Sequence, residues 1–348
     1  MEHRLNNPEH QQSAAYVVSA FYHFTRVKDP SELRRSLLPM LARYQMLGTI
    51  LVAQEGINGT IAGTRTHTDA FFAAVRKDIR FSELSTKESF CKEPPFLRTK
   101  VKIKAEIVTM GQPDLDPQTQ AGTYVRPEDW NALLLDPEVV VIDTRNDYEV
   151  DIGSFQHAVN PNTTSFREFP DYVAEHLQEA KGKKIAMFCT GGIRCEKSTT
   201  YLKSQGFDQV FHLEGGILNY LETVPEEASL WQGACFVFDE RVAVDHQLKP
   251  AGFHQCHACR RPLNETDVLR ASYHPGLSCH HCEHQLTDDQ RARFAEREKQ
   301  IQLAKARGEA HLGDAARVDQ AKRKSAKQLD QKNRREHLEP DSPGSADG

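Results

Sequence analysis

The feature that most constrains this chain is KKIAMFCTGGIRC (183–195), in which an apolar strand runs directly into a glycine-rich loop and then into a helix. A second apolar, β-branched strand, VVVIDTR (139–145), precedes it, and a helical segment at about 166–180 separates the two. Strands that alternate with helices predict a parallel sheet. We therefore predict an α/β domain with a parallel sheet over about 122–225.

The loop itself has the properties of an anion-binding site. It consists of Cys189, Thr190, Gly191, Gly192, Ile193 and Arg194, and Cys195 follows it. Successive N–H groups between a strand and a helix can form a nest, and the helix adds its positive N-terminal end. The two glycines permit backbone angles that other residues resist, and Arg194 adds a fixed positive charge. Because these features lower the pKa of a thiol, we expect Cys189 to be a reactive thiolate. The simpler interpretation is a buried cysteine packed at a strand end.

The N-terminal part of the chain predicts an α+β domain at about 13–110. We expect strands at 16–24, 48–53 and 97–108, helices at 31–46 and 69–79, and a tight turn at the Asn-Gly pair of EGINGTIAG (55–63). The order β-α-β-β-α-β is typical of a ferredoxin-like (acylphosphatase-like) domain.

Four of the eight cysteines form two C-x-x-C pairs near the C-terminal end. Cys256 and Cys259 lie in CHAC, Cys279 and Cys282 lie in CHHC, and 19 residues separate the two pairs. This spacing predicts a zinc site, and four thiolates complete a tetrahedron, which favours a structural role. We place the zinc-binding module at about 232–285 and a charged helical and disordered tail at 286–348.

Composition and motifs narrow the function classes. The net charge of −5 means that contact with a nucleic acid requires a local basic surface. We expect no membrane span, because no run of eighteen apolar residues occurs, and the polar MEHRLNNPEHQQ terminus predicts a cytoplasmic protein. No flavin or nicotinamide motif is visible, since GINGTIAG lacks the strand–turn–helix setting of a dinucleotide site.

Two segments offer local basic surfaces. The first is the strand 97–108, where four cations alternate with other residues and share one face: Arg98, Lys100, Lys102 and Lys104. They could follow a phosphate backbone, or they could form an ordinary solvated or protected edge. The second is the tail, with Arg317, Lys322, Arg323, Lys324, Lys327, Lys332, Arg334 and Arg335. It could bind tRNA nonspecifically or remain a solvated disordered tail.

Around the loop, the chain resembles the rhodanese family. The resemblance covers IDTRNDYEVDIGSFQHAVNPN (142–162), the loop, and GFDQVFHLEGGI (206–217). The six-member loop from Cys189 to Arg194 has the length of sulfur-transfer members, whereas related phosphatases carry a longer loop. The resemblance implies that Cys189 can carry a persulfide, with Asp143 and Arg145 bracing the loop. One departure is Gly153-Ser154-Phe155, where the family usually has Gly-His-Ile.

Nearly the whole chain, apart from the tail, resembles the rhodanese-domain tRNA uridine hydroxylases. A ferredoxin-like domain with QEGINGT (54–60) precedes CTGGIRCEK (189–197) and the cysteine cluster. The resemblance implies oxygen-dependent formation of 5-hydroxyuridine at position 34 of tRNA, with molecular oxygen as co-substrate and tRNA as partner. The residues implied for catalysis are Cys189, Arg194, Asp143 and Arg145.

Several alternatives stay open at this point. Cys189 could add to C6 of the uracil and activate C5, or an oxidised sulfur on Cys189 could deliver oxygen. Cys195 could be a resolving thiol or a plain helix-face cysteine. The rival functions are a persulfide sulfurtransferase acting on a thiol or tRNA, and a non-catalytic adaptor that binds RNA or protein.

Overall fold

A computed structural model describes residues 15–308 and the isolated residue 325 of the 348-residue chain. Residues 15–286 form one compact unit, and the described residues from Thr287 onward form a second. The first unit contains an N-terminal α+β domain, a parallel α/β domain and a cysteine-containing module.

The N-terminal domain is a five-stranded sheet with two helices on one face. In chain order its elements are β1 (Tyr16–Phe24), α1 (Pro30–Arg43), β2 (Leu47–Ala53), β3 (Gly56–Gly63), α2 (Arg65–Val75), a short 3-10 helix (Ile79–Phe81), β4 (Lys87–Cys91) and β5 (Thr99–Ile103). The strand order is β4-β1-β3-β2-β5. The core lies between the sheet and the helices, where Leu37, Leu41 and Phe71 pack with Phe21 and Ile61.

The Asn-Gly pair does not form the predicted turn. Asn58 and Gly59 lie inside β3, which pairs with both β1 and β2 in the centre of the sheet. The hairpin turns instead at Gln54 and Glu55. Ile57 and Ile61 are buried in the core, and this period-two apolar pattern determines the conformation more strongly than the local turn signal does.

The predicted strand 97–108 is shorter than expected and has a different place. The fourth strand of the ferredoxin-like core is β4, which pairs with β1. β5 is an added strand at the opposite edge, parallel to β2. It ends at Ile103, and beyond it the carboxylate of Glu106 accepts backbone N–H groups of Met110 and Gly111. The chain therefore leaves the sheet before residue 108.

The second domain is a parallel α/β domain with the sheet order β6-β10-β9-β7. Its elements are α3 (Pro117–Gln120), β6 (Thr123–Val125), α4 (Pro127–Leu134), β7 (Val139–Asp143), α5 (Asp147–Val150), β8 (Gly153–Phe155), α6 (Phe169–His176), β9 (Lys184–Phe188), α7 (Ile193–Ser204), β10 (Val210–Leu213) and α8 (Gly216–Thr223). The helix expected at 166–180 is α6 flanked by two 3-10 helices, Phe166–Glu168 and Gln178–Ala180.

The remaining elements are short, apart from one helix. They are a 3-10 helix (Glu226–Ala228), β11 (Trp231–Gly233), β12 (Cys235–Phe236), β13 (Ala243–Val244), β14 (His254–Gln255), β15 (Pro262–Leu263), a 3-10 helix (Asp267–Leu269) and α9 (Asp288–Ala306). Thr287 and Gln290 form a capping box at the start of α9. The basic tail residues 317–335 named above lie outside the described residues. Within residues 15–308, no helix has the length and apolar character needed to cross a bilayer.

Candidate active site

Cys189 lies at the edge of the parallel sheet where the strands end. β7 and β9 are adjacent and parallel, and Asp143 at the end of β7 pairs with Phe188 at the end of β9. The loop that begins with Cys189 therefore lies beside the segment that follows Asp143. This is the edge at which open α/β sheets bind ligands. Cys189 is 1% exposed.

The loop curls around the Cys189 sulfur. The backbone N–H of Gly192 donates to Cys189 Sγ at 3.1 Å. Gly192 has a φ of 96°, which favours glycine. The N-terminus of α8 donates two hydrogen bonds to the loop. The Ile217 N–H donates to the Cys189 carbonyl at 2.9 Å, and the Leu218 N–H donates to the Thr190 carbonyl at 3.1 Å. The GFDQVFHLEGGI segment thus supports the loop directly.

The surroundings of Cys189 favour the thiolate. Burial alone would raise the pKa of the Cys189 thiol, but it is outweighed by a hydrogen bond from the Cys195 thiol, the charge of Arg194 and backbone N–H groups of the loop. Together these lower the pKa of Cys189 to about 6. A thiol with such a pKa is largely ionised at neutral pH and is therefore a nucleophile.

Glu149 orients Arg194 beside the sulfur. The guanidinium donates to both carboxylate oxygens of Glu149, at 2.8 and 2.7 Å, and both side chains are buried. Burial lowers the pKa of Arg194, but the Glu149 carboxylate outweighs it and the pKa is raised overall. Arg194 is thus a fixed cation whose position is set by a bidentate ion pair.

Asp143 and Arg145 support the loop indirectly. They form a bidentate pair at 2.9 and 2.6 Å, and both side chains are fully buried. Arg145 also donates to the carbonyls of Glu149 and Gly153, so the pair fixes the segment that carries Glu149. Ser154, which stands where the rhodanese family usually has histidine, strengthens this pair, because its hydroxyl donates to Asp143 at 2.8 Å.

Cys195, in the first turn of α7, lies behind the loop. It is fully buried, and its sulfur lies 3.7 Å from Thr144 Oγ1. Burial and the neighbouring Cys189 raise the pKa of Cys195 well above its ordinary value. Cys195 is therefore a protonated thiol beside the Cys189 thiolate.

Cys189 borders a cavity of about 910 Å³ that two domains share. One wall is the loop, including Thr190 and Arg194. The opposite wall is the sheet face of the N-terminal domain that carries no helices, including Tyr22, Leu51 and Asn58. A ferredoxin-like domain by itself leaves that face open to solvent, but here the parallel α/β domain covers it. Phe24, Ala53 and Ile107 pack against Ile193 of the loop.

Two exposed aromatic rings also line this cavity. Tyr124 is 51% exposed and Phe238 is 59% exposed. The Arg194 guanidinium carbon lies over the Phe238 ring, 5.9 Å from the centroid of that ring. Large exposed apolar side chains at a cavity are suited to a planar ligand. No sequence pattern pointed to either ring, because both Tyr124 and Phe238 are more than forty positions from the loop.

Two further residues of the site lie within CTGGIRCEK, although the sequence assigned them no role. The Lys197 ammonium is fully buried and donates to Glu55 at 2.9 Å and to Glu106 at 2.6 Å. Its neighbour Glu196 accepts hydrogen bonds from Tyr22 and Tyr124. The motifs QEGINGT and CTGGIRCEK therefore contact each other. Their joint presence in the sequence was the only pattern from which this contact could have been predicted.

The basic strand borders the same sheet face as the cavity. The parallel register pairs Lys100 with Thr49 and Lys102 with Leu51, and both partners line the cavity. Residues paired in this way point to the same face. Arg98 and Lys104 flank β5 and, like the two lysines, are exposed.

The four cysteines of the C-x-x-C pairs come together as the spacing predicts. Cys256 and Cys259 lie on the turn between β14 and β15. The sulfur atoms are 3.9 Å apart for Cys256 and Cys282, 3.7 Å for Cys259 and Cys279, and 3.9 Å for Cys279 and Cys282. Thiolates bound to zinc at about 2.3 Å in a tetrahedron are about 3.8 Å apart, whereas a disulfide is much shorter. The cluster therefore fits a zinc ion.

The cysteine module contacts the segment that orients Arg194. Arg261, beside the first C-x-x-C pair, donates to Asp147 at 2.6 Å and lies 3.6 Å from Asp151. Asp147 begins α5, which also carries Glu149. The cysteine module thus packs against α5, the helix that carries Glu149.

Comparison with known families divides the chain in the same way. Residues 16–107 match the UPF0176 acylphosphatase-like domain, and residues 126–223 match the rhodanese-like domain. The two matches follow one another in the order of the N-terminal domain and the parallel α/β domain.

Three solved rhodanese-like structures are distantly similar to this chain. A rhodanese-like domain from Anabaena is 18% identical, covering 32% of this chain and 78% of that chain, with a TM-score of 0.27. A rhodanese-related protein from Thermoplasma volcanium is 22% identical, covering 29% and 93%, with a TM-score of 0.24. A rhodanese-like domain protein from Staphylococcus aureus is 24% identical, covering 28% and 90%, with a TM-score of 0.24. These distant similarities say nothing about activity.

Proposed function

Since this chain has the two-domain architecture of the tRNA uridine(34) hydroxylase (UPF0176) family, and belongs to that family, we propose that it hydroxylates uridine 34 of tRNA to 5-hydroxyuridine with Cys189. The observation that carries this proposal is the shared cavity. A thiolate at a rhodanese-type loop faces a wall built by the family's own N-terminal domain. A loop made only for small sulfur donors has no need of that second wall.

The cavity suits a nucleobase. Its volume of about 910 Å³ is within the range of small-molecule sites. Tyr124 and Phe238 offer faces on which a base can stack. Asn58 adds a polar side chain to the wall, and its amide nitrogen is held by the Ile107 carbonyl at 2.8 Å. Arg194 provides a fixed positive charge for an oxyanion that develops on the ring.

The path of the RNA follows from the basic strand. Lys100 and Lys102 continue the sheet-face wall of the cavity outward to the sheet edge. Exposed lysines at this edge suit the phosphates that flank a base inserted into the cavity. An unpaired anticodon base can be splayed out in this way, as proteins that recognise single-stranded RNA require.

The chemistry assigned to Cys189 is covalent activation of C5. Addition of the thiolate to C6 moves the C5=C6 electron pair onto C5 and O4, which makes C5 nucleophilic toward an oxidant. One atom of molecular oxygen becomes the 5-hydroxyl group, and the other leaves as water with two electrons and two protons from a two-electron donor. Loss of the C5 proton then expels the thiolate and restores the double bond.

Nucleoside mass spectrometry of tRNA tests the proposal. Cells that lack the gene should contain no 5-hydroxyuridine made by this enzyme. The wild-type gene should restore it, and Cys189→Ala and Cys189→Ser should not. Cys91→Ser, at a half-buried cysteine of β4 that does not line the cavity, is the matched control. Normal levels of 5-hydroxyuridine with Cys189→Ala would refute the proposal.

A persulfide sulfurtransferase is the second candidate, and the cradle around the sulfur favours it. The Gly192 N–H and the Arg194 charge would also stabilise a persulfide anion on Cys189. Turnover of thiosulfate or mercaptopyruvate by the full chain, with sulfur transferred to a thiol, would support this candidate. Incorporation of isotopically labelled molecular oxygen into tRNA uridine would support the hydroxylase.

A further inference from the structure

A buried carboxyl group lies near Cys189 and accepts hydrogen bonds from two tyrosine hydroxyl groups. Glu196, in α7, is 5% exposed. Tyr22 donates to its Oε1 at 2.9 Å and Tyr124 donates to its Oε2 at 2.7 Å. All three residues line the cavity that Cys189 borders. Glu196 also lies close enough for the Cys189 thiolate to affect its ionisation.

Glu196 differs from the other buried carboxylates near the loop. Glu149 is neutralised by Arg194, and Glu106 by Lys197. In the part of the chain that the structure describes, no lysine or arginine forms a salt bridge with Glu196. Burial raises the pKa of Glu196, and the two tyrosine hydrogen bonds lower it only in part. A carboxyl held in this way keeps a proton more readily than an ordinary glutamate side chain, and is suited to exchange that proton with a bound substrate.

The two tyrosines orient the carboxyl group but leave part of its hydrogen-bonding capacity unused. Each carboxyl oxygen accepts one hydroxyl and keeps a second lone pair. Tyr22 comes from the N-terminal sheet and reaches the loop itself, since a Cβ added at Gly192 would lie 2.9 Å from its hydroxyl. The orientation of Glu196 is therefore fixed by both walls of the cavity.

We propose that Glu196 is the catalytic acid–base residue that carries the proton at C5 of a uridine attached to Cys189, with Tyr22 and Tyr124 as its positioning residues. This inference rests on the proposed function, because it concerns the same covalent adduct. It assigns to the chain the one proton transfer that Cys189 and Arg194 do not perform.

The step balances without an oxidant. The Cys189 sulfur bonds to C6, the C5=C6 electron pair moves to C5 and O4, and a solvent proton adds to C5 on the face away from Glu196. The Glu196 carboxylate then removes the original hydrogen, which now lies on its own face of C5, the electron pair re-forms C5=C6, and the thiolate leaves. The net result is exchange of the C5 hydrogen with solvent. During hydroxylation, the same carboxylate accepts the C5 proton after the C–O bond has formed.

The exchange reaction provides the test. Full-length protein is incubated, with oxygen excluded, with tRNA that carries tritium at C5 of its uridines, and tritium released into water is counted. We expect release with the wild type and none with Cys189→Ala. Glu196→Gln should release tritium at least about 100-fold more slowly, in line with the contribution of a positioned acid–base group. Tyr124→Phe should slow release about tenfold, and the exposed control Glu179→Gln should stay within twofold of the wild type.

A second measurement separates catalysis from a structural role. Alkylation of Cys189 by iodoacetamide should stay within about threefold of wild type in Glu196→Gln, because the loop and Arg194 are unchanged. Parallel losses of alkylation and tritium release would overturn the inference, as would exchange by Glu196→Gln within threefold of wild type. A wild-type protein that makes 5-hydroxyuridine without exchange would overturn the inference alone. A wild-type protein that does neither would overturn the proposed function as well.

Discussion

Lys197, on the helix that follows the Cys189 loop, donates to Glu55 of the N-terminal domain at 2.9 Å while its side chain is fully buried. A second carboxylate, from Glu106, lies 2.6 Å from the same ammonium. The active-site helix is thus joined to the N-terminal domain by a buried cation with two anionic partners. A buried charge of this kind is costly to leave unpaired.

Removal of this cation should destabilise the protein strongly. Lys197→Met leaves two carboxylates facing each other at a buried site, so we expect the free energy of unfolding to fall by about 3 kcal/mol. Urea denaturation followed by fluorescence measures this. The exposed Lys183→Met is the control and should change stability by less than about 0.5 kcal/mol. Equal effects of the two substitutions would show that the buried pairing contributes nothing.

The reactivity of Cys189 should depend on pH with a midpoint far below that of a free thiol. Because its pKa is lowered to about 6, the iodoacetamide reaction should reach half its plateau rate near pH 6, against about 8.5 for an ordinary cysteine. Cys195→Ala removes a hydrogen-bond donor and should move the midpoint upward. A wild-type midpoint above pH 8 would contradict the lowered pKa.

The same shift has a consequence for stability. The folded protein favours the ionised form of Cys189 more than the unfolded chain does. The stabilisation is therefore present above the unfolded pKa of about 8.5, and it is lost as the pH falls toward and through about 6. The difference in stability between wild type and Cys189→Ala, measured across this range, should show this trend.

Gly192 and Gly191 provide a matched pair of alanine substitutions. A Cβ at Gly192 would strain a backbone with a φ of 96° and would meet the Tyr22 hydroxyl at 2.9 Å, whereas a Cβ at Gly191 would meet no atom within 4 Å. Gly192→Ala should therefore lower the rate of Cys189 alkylation at least tenfold, and Gly191→Ala should stay within threefold. The prediction is wrong if the two variants behave alike.

Metal analysis of the purified protein should give about one zinc per chain. Cys279→Ser removes one of four thiolates, so we expect loss of zinc and earlier proteolysis within residues 254–286. Cys235→Ser, at a buried cysteine outside the cluster, should keep its zinc. Well below one zinc in the wild type, with iron and other metals also absent, would contradict a metal-binding role.

Charge reversal on β5 should weaken tRNA binding in a salt-dependent way. Lys100→Glu with Lys102→Glu should reduce the slope of log affinity against log salt concentration by about 1.5, because each lost phosphate contact removes roughly 0.7–0.9. Lys183→Glu, before the start of β9, is the control. Deletion of residues 309–348 measures the contribution of the tail separately. Unchanged affinity and slope in both variants would remove both surfaces from the binding site.

The local parts of the site could be predicted from the sequence, and the parts formed between domains could not. The Cys189 loop and the Cys256–Cys282 cluster are encoded by short spacings, so neighbouring residues determine their geometry. The Tyr22–Glu196 contact joins residues 174 positions apart, and no periodicity reveals such a pair. The prediction of a tight turn at Asn58-Gly59 was wrong for a related reason. Pairing with two neighbouring strands determines the conformation of β3, and those strands are distant in sequence from the Asn-Gly pair or not recognisable from it.

The same contrast applies to the covered sheet face. A ferredoxin-like domain alone leaves that face open. The packing of Phe24 and Ile107 against Ile193 covers it, and this contact depends on two sequences that are read separately. The binding wall of the cavity is therefore invisible to any analysis of one domain at a time.

The shared cavity also indicates how such a reaction could diverge in evolution. Its nucleophile belongs to one domain and much of its substrate wall to the other, so the two are encoded by separate stretches of the gene. Substitutions on the sheet face could redirect the thiolate to a new substrate while the loop sequence stays constant. Assignment of activity in genomes from the rhodanese loop alone would then confuse enzymes that differ only in the domain beside it.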